Sequence, residues 1–256
     1  MSARARIVLL AGDGLSTRVM YHNLREEFDI VEVMLERKPS SLKMLRHRAR
    51  KLGITQTLGQ LGFILYSRLL GRASRARIDQ LLQRHGLLDV PIPAQVITHV
   101  ASANERGVAS RLRQLAPQAV VVNGTRILSK KLLAAVDAPF VNTHMGITPN
   151  YRGVHGGYWA LTNDDREHCG VTVHLVDAGV DTGGILYQAL ITPEADDNFV
   201  TYPILQLEQG LPLMRAALRD VAAGRVTPRI SEGPSRQWYH PTLLGYWKTR
   251  LKRGVK

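Results

Sequence analysis

An α/β fold on a mainly parallel, twisted sheet flanked by helices follows from three features of this 256-residue chain. Short apolar runs alternate with segments of helical period along most of its length. One run, AVVVN at 119–123, is apolar at nearly every position, as strands covered on both faces are. The chain also opens with a strand, a Gly turn (Gly12-Asp13-Gly14) and a helix.

Residues 6–11 (RIVLLA) form the opening strand, and 16–28 a helix with Ser16 or Thr17 near its N-cap. A second strand covers 30–35, where Glu32 interrupts the apolar residues. From 38 to about 88 the period is helical throughout, in three segments around 42–52, 58–70 and 77–88. That is far longer than an ordinary connection between strands, and it reads as a helical insertion over about 38–90. A strand at 94–100 leads to a helix over 104–115 capped by Asn104, then to the 119–123 strand. Ser129 caps a helix at 130–136, followed by a strand ending at Asn142 and His144. A helix at 156–162, strands at 171–176 and 185–191, and a helical stretch at 198–223 kinked or broken at Pro203 and Pro212 complete the catalogue. The 226–256 tail is short, basic and aromatic, so 1–225 reads as the main domain.

The net charge of +13 is concentrated in two places. Residues 37–78 carry 11 Lys/Arg and no Asp/Glu, and 225–256 carry 8 against one acid, which leaves −5 for the remainder. A mildly acidic body with two basic segments argues against a general nucleic-acid binder. No apolar run is long enough to span a bilayer, and the start reads directly into a strand, so a cytoplasmic location is expected. The single Cys169 excludes an internal disulfide, gives no metal-ligand spacing and suits a small buried strand residue.

Asn142 and His144 are two apart, so in extended backbone they leave one face of the strand, just before a loop shaped by Gly146, Pro149 and Gly153. Capping of the strand end is the plain reading; ligand chemistry at a strand's C-terminal end is the other. Asp181 sits in a Gly-rich loop (AGVDTGG), where an Asx turn competes with a functional carboxylate. A carboxylate beside His144 would orient the ring and favour its protonated form. Asn142 and an imidazolium could then hold an oxyanion during acyl transfer to an amine.

Arg126-Ile127-Leu128-Ser129, Asn142-Thr143-His144, Pro149-x-Tyr151-Arg152-Gly153, Gly170-Val171-Thr172-Val173-His174 and Asp181-Thr182-Gly183-Gly184 follow one another in the order and spacing of the folate-dependent formyltransferases. The chain resembles that family, which includes phosphoribosylglycinamide, methionyl-tRNA and sugar N-formyltransferases, specifically over 117–225 and loosely over 1–36. The resemblance implies a Rossmann-like fold with Asn142, His144 and Asp181 as catalytic trio. It implies 10-formyltetrahydrofolate as co-substrate and no metal, with a pterin pocket of Arg126, Ile127, Leu128, Val176, Asp177, Gly179 and Asp181. Gly12, Gly14, Tyr151, Arg152 and Gly153 are the expected contacts of the amine substrate. Where the family usually has Pro-Ser-Leu-Leu-Pro after the His, this chain has Met145-Gly146-Ile147-Thr148-Pro149. His155, His168 and His174 match no catalytic role and read as structural or surface residues.

Trp159-Ala160-Leu161 is similar to the sugar formyltransferase pattern, and residues 226–256 are too few for the extra C-terminal barrel of the tRNA enzyme. The expected acceptor is therefore a small molecule, a phosphate-activated amino sugar, with glycinamide ribonucleotide second and a non-catalytic folate-binding homologue third. No nucleic-acid partner is expected. The basic insertion has three readings: a solvated lid, anion recognition of a sugar phosphate, or peripheral contact of residues 37–78 with an anionic membrane. Its apolar stripe runs through Leu58, Leu61, Ile64, Leu65 and Leu69.

Overall fold

Apolar side chains at every position of residues 7–11 and 119–122 can be satisfied only between two layers, and the computed structural model puts them there. It describes residues 4–38, 41–230 and 233–256. Seven strands make the main sheet: β1 (Arg6–Gly12), β2 (Asp29–Glu36), β3 (Ile97–Val100), β4 (Ala119–Asn123), β5 (Phe140–His144), β7 (Gly170–Leu175) and β8 (Ile185–Leu190). A two-residue β6 (Arg152–Gly153) pairs with β9 (Gln237–Trp238) in a small separate sheet. The main order is β3-β2-β1-β4-β5-β7-β8. Pairing is parallel from β3 to β5 and antiparallel at β5–β7 and β7–β8.

One face of the sheet packs on α1 (Leu15–Leu24), α4 (Arg75–Arg84) and α8 (Tyr202–Ala222), with Leu9, Leu24, Leu81, Leu207 and Met214 in one cluster. The other face packs on α5 (Arg106–Leu115) and α6 (Lys130–Leu133) through Leu10, Met34, Leu112 and Phe140. The helical insertion is α2 (Ser41–Leu52), α3 (Ile54–Ala73) and α4. Within it α4 belongs to the first core cluster through Leu81 and Leu82, and Arg77 ties it to Asp197 at 2.9 Å. Residues 39–40 lie outside the described residues, as do the side chains of 41–44, 47 and 51, which include Leu42, Lys43 and Lys51 of the predicted first helix.

A third, aromatic cluster joins α3, α7 (Gly156–Thr162) and α9 (Leu243–Arg253), with Phe63, Tyr158, Phe199 and Tyr246 at its centre. Here the insertion and the tail meet. A Cβ on Gly59 would lie 2.8 Å from Thr242, so the close approach of the two segments depends on glycine. Tyr66 meets the rings of Tyr246 and Trp247 one turn further on, so the two helices run side by side in the same direction.

Two local expectations are corrected and one holds. Asn104 does not cap α5, whose N-cap is Glu105; its side chain instead binds the Ile127 carbonyl and the Ser129 N–H. Ser129 does cap α6, accepting from Leu132 N–H. α8 is not broken at its prolines. Pro203 lies in the first turn, where its missing N–H costs nothing, and Pro212 lies on the exposed side, where the carbonyl it leaves unpaired can meet water. Among the described residues no helix is long and apolar enough to cross a membrane.

Candidate active site

β4 and β5 end side by side, and between their C-terminal ends and the loop after β7 opens a cavity of about 750 Å³. Asn142 and His144 leave β5 into it, as their alternation requires. Asp181 enters from the 176–184 loop at φ 51°, a left-handed conformation that Asp tolerates. The loop is held by Arg152 Nη1 on the Val180 carbonyl at 2.8 Å and by Asp177, which accepts from Gly179 N–H and Thr182 Oγ1. A Cβ at Gly183 would collide with the Leu175 carbonyl, so only glycine lets the loop turn back against β7.

The trio predicted from sequence converges. His144 Nδ1 is 3.3 Å from Asp181 Oδ2, and His144 Nε2 is 2.7 Å from the Tyr151 carbonyl. A carbonyl only accepts, so Nε2 carries a proton and Nδ1 of the neutral ring is the open base. Burial pulls His144 below its ordinary imidazole range, and neither Asp181 nor the Tyr151 carbonyl restores it. Asp181 does favour the charged ring, as expected, but desolvation outweighs it. Burial pushes Asp181 upward, yet His174, His144 and the Gly153 N–H (2.9 Å) together hold its carboxyl below the usual range. The resting pair is a neutral ring facing an ionised carboxylate, with both acceptors already in place for a proton that the ring gains.

His174 was read from sequence as structural, and the structure puts it in the site. Antiparallel register sets it directly opposite Asn142. Its Nδ1 donates to the Leu175 carbonyl at 2.6 Å, and its Nε2 meets Asn142 Nδ2 at 3.1 Å and stands 3.7 Å from Asp181 Oδ1. His174 thereby fixes the amide of Asn142, which lines the cavity. His155 also lines the cavity, 3.0 Å from His240 across it. Burial lowers these two rings to about 3 and about 4. His168 fits its surface reading, half-exposed beside Asp165 at 2.6 Å. His174 closes the motif Gly170–His174 in the sequence, but only the strand pairing shows that it meets Asn142.

Arg126, Ile127, Leu128, Val176, Asp177 and Gly179 all line the cavity, as expected. The 124–128 segment is pinned from behind by buried Glu36, which accepts from Arg126 N–H at 2.9 Å and Ala103 N–H at 2.7 Å. The Arg126 guanidinium donates to the Arg37 and Ala101 carbonyls. Val122, Leu128, Met145 and Val176 give this part of the cavity its apolar walls. The lining suits a flat heteroaromatic ring system: apolar sides, with backbone and a few polar groups at the edges.

The predicted substrate contacts divide. Gly153 lines the cavity, whereas Gly12, Gly14, Tyr151 and Arg152 do not. A Cβ at Gly12 would meet the Gly124 carbonyl at 2.7 Å, so Gly12 serves close packing of the β1 and β4 ends, and Ser16 is the cavity residue from that turn. Tyr151 is buried, its ring stacked on Trp238 and its hydroxyl donating to Asp165 at 2.7 Å. It acts on the site through its carbonyl. The lining is completed instead by Arg48 and Leu52 from α2, Gln60 from α3, and Trp238, Tyr239 and His240. Trp159 braces that wall, stacked on Trp238 and donating to the Tyr239 carbonyl at 3.0 Å.

Cys169 lies outside the cavity and is fully buried; burial pushes its thiol up to about 12, in keeping with a packing residue. Among the described residues one group has metal-ligand spacing, Asp165, Glu167 and His168. It too is outside the cavity.

A family model described as formyl transferase matches residues 72–209, just over half of the chain. Methionyl-tRNA formyltransferase of Anaeromyxobacter dehalogenans is 37% identical over 130 residues, which are 50% of this chain and 41% of that protein. The enzyme of the same name from Trichlorobacter lovleyi is 30% identical over 167 residues, 65% of this chain and 50% of its own length. The chain thus spans about half the length of the curated relatives it matches. Among solved structures, glycinamide ribonucleotide transformylase 1 from Symbiobacterium toebii superposes with TM-score 0.57 and 22% identity over 93% of this chain and 94% of that one. A sugar N-formyltransferase from a Shewanella species gives 0.56 and 13% over 91% and 76%. These two share the fold.

Proposed function

We propose that this chain, which belongs to the formyl transferase family, moves a formyl group from 10-formyltetrahydrofolate to the primary amine of a phosphate-activated amino sugar. One observation carries the reading: Asn142, His144 and Asp181 stand in a single cavity lined by apolar residues of the strand ends and by basic and aromatic residues of α2 and 237–240. A bound formyl-folate supplies an activated formyl carbon. The apolar side of Val122, Leu128, Met145 and Val176, edged by Arg126, Ile127, Asp177 and Gly179, would hold its ring system. The side formed by α2 and residues 237–240 offers Arg48 to a phosphate and Tyr239 to a sugar.

The roles of the trio follow from their partners. Asn142 directs its remaining amide N–H to the formyl oxygen as that oxygen gains charge, a contribution of about 3 kcal/mol for a well-aimed donor. His144 is uncharged at rest and can hold the proton that the attacking amine gives up. Asp181 stabilises the imidazolium so formed and keeps the ring in place. Tyr151 and His174 are positioning residues, the first acting on His144 and the second on Asn142.

The names of the sequence relatives favour a second reading, formylation of methionyl-tRNA. The test is an assay with 10-formyltetrahydrofolate in which nucleotide-linked amino sugars, glycinamide ribonucleotide and methionyl-tRNA are offered separately. Mass spectrometry reads the gain of one formyl group. A formylated amino sugar is the expected product; formylation of either other acceptor alone would overturn the sugar assignment. Folate binding by calorimetry with no acceptor formylated would make the chain a non-catalytic folate-binding homologue.

A further inference from the structure

α3 is apolar on both of its faces, and the face it buries is the less apolar one. The fully buried positions are Thr57, Gln60 and Phe63. To solvent it turns Ile54, Leu58, Leu61, Leu65 and Leu69, which are 37–70% exposed at spacings of four, three, four and four. Of the stripe predicted from sequence only Ile64 is half-buried. α9 repeats the arrangement. Tyr246 is fully buried, while Leu244, Trp247 and Leu251 are 83, 38 and 82% exposed at spacings of three and four.

The two rows face the same way. Phe63 and Tyr246 reach into one aromatic cluster and touch each other at 5.6 Å between ring centroids. The sides of α3 and α9 opposite those residues therefore point away from that cluster together. Eight large apolar side chains on two abutting helices make a patch well beyond the scattered leucines of an ordinary surface. Neither helix contains an Asp or Glu. Arg68 and Arg72 on α3 and Lys248 and Lys252 on α9 are exposed around the leucines, while Arg253 is held by Asp164. Exposed leucines and a tryptophan ringed by cations match an anionic lipid surface, to which apolar burial and charge both contribute. A symmetric pairing of two copies through this face would instead bring like charges together.

We propose that the outer face of α3 and α9 docks on an anionic membrane surface, with the leucines and Trp247 in the interfacial region. α3 also reaches the cavity through Gln60, beside Arg48 and Leu52 of the preceding α2. Docking would thus hold this side of the cavity close to the lipid.

The experiment is sedimentation of the full chain with phosphatidylcholine vesicles, with and without roughly one third phosphatidylglycerol, at low and physiological salt. Two variants accompany it: Leu65→Ser/Leu251→Ser, and Lys248→Glu/Lys252→Glu. All four positions are exposed and outside the cavity, so melting curves and turnover of a soluble acceptor should match wild type. The wild type should bind the anionic vesicles only, more weakly in salt, with a blue shift of emission that Trp247→Phe removes. Each double variant should lose at least about tenfold in partition coefficient. Absence of binding, equal binding to neutral vesicles, or unaltered binding of the leucine variant would overturn the proposal. So would a solution dimer that the leucine variant dissociates. Acceptor turnover is read separately, so failure here leaves the formyl-transfer reading standing.

Discussion

The cavity wall and the helical platform beside it are built on opposite terms. At the wall, polar groups are anchored several deep: Glu36 holds the backbone at 126, His174 holds Asn142, and Tyr151 and Asp181 hold His144. On the platform, α3 buries Thr57 and Gln60 and leaves its leucines to water. The wall is finished: its polar groups are held by one another. The platform is stable through its underside alone, and its outer face contributes nothing to the isolated fold. The contrast separates residues whose loss harms chemistry, residues whose loss harms folding, and residues whose loss harms neither.

Asp181→Asn is the sharpest way to break the wall. It should leave folding and folate binding nearly intact while kcat falls by about two to four orders of magnitude, the range for losing an acid–base partner. Steady-state kinetics beside a calorimetric titration would check it. Near-wild-type turnover would remove Asp181 from the mechanism.

Phe63→Ala tests the platform's underside. Phe63 is fully buried among Phe199, Tyr246 and His155, so the change should cost about 3–5 kcal/mol in urea unfolding. A loss below about 1 kcal/mol would mean that α3 is not held by its aromatic contacts. Asn142→Ala should lower kcat/KM by roughly two orders of magnitude, about 3 kcal/mol, with little change in melting temperature. If His174 acts by orienting that amide, His174→Ala should lower kcat in the same direction and by less, and should add little to Asn142→Ala.

Acid should weaken the cavity's surroundings before it affects the distant sheet edge. His144, His155 and His240 are all lowered by burial, so each is neutral when folded and takes up a proton on unfolding. Stability from these groups is therefore complete above about pH 6.5 and is lost as pH falls from there toward the native values. The slope is up to about 1.4 kcal/mol per pH unit for each ring. Urea midpoints between neutral and mildly acidic pH should fall accordingly, and His240→Gln should make the decline shallower. The smallest expected effect sharpens the comparison most: Leu65→Ser should change stability by no more than about 0.5 kcal/mol, two positions from Phe63. A larger loss in chemical unfolding would mean that the leucine face is covered in the free protein.

Periodicity alone located every strand of the main sheet, with β4 recovered to the residue and the others within one to three positions. Strands buried on both faces leave an unmistakable apolar run, and their ends are fixed by glycine and asparagine. The motifs also singled out Asn142, His144 and Asp181, which the fold brings to one cavity. Two things only tertiary structure decided. One is the partner of Asn142, since a β5–β7 register one residue away would turn His174 to the other side of the sheet. The other is the union of α3 with α9, nearly 180 residues apart in sequence, through a glycine contact and an aromatic cluster that no local pattern encodes. The charge state of His144 belongs with these: sequence supplied the carboxylate, but only folding removed the water, and the missing water is what keeps the ring neutral.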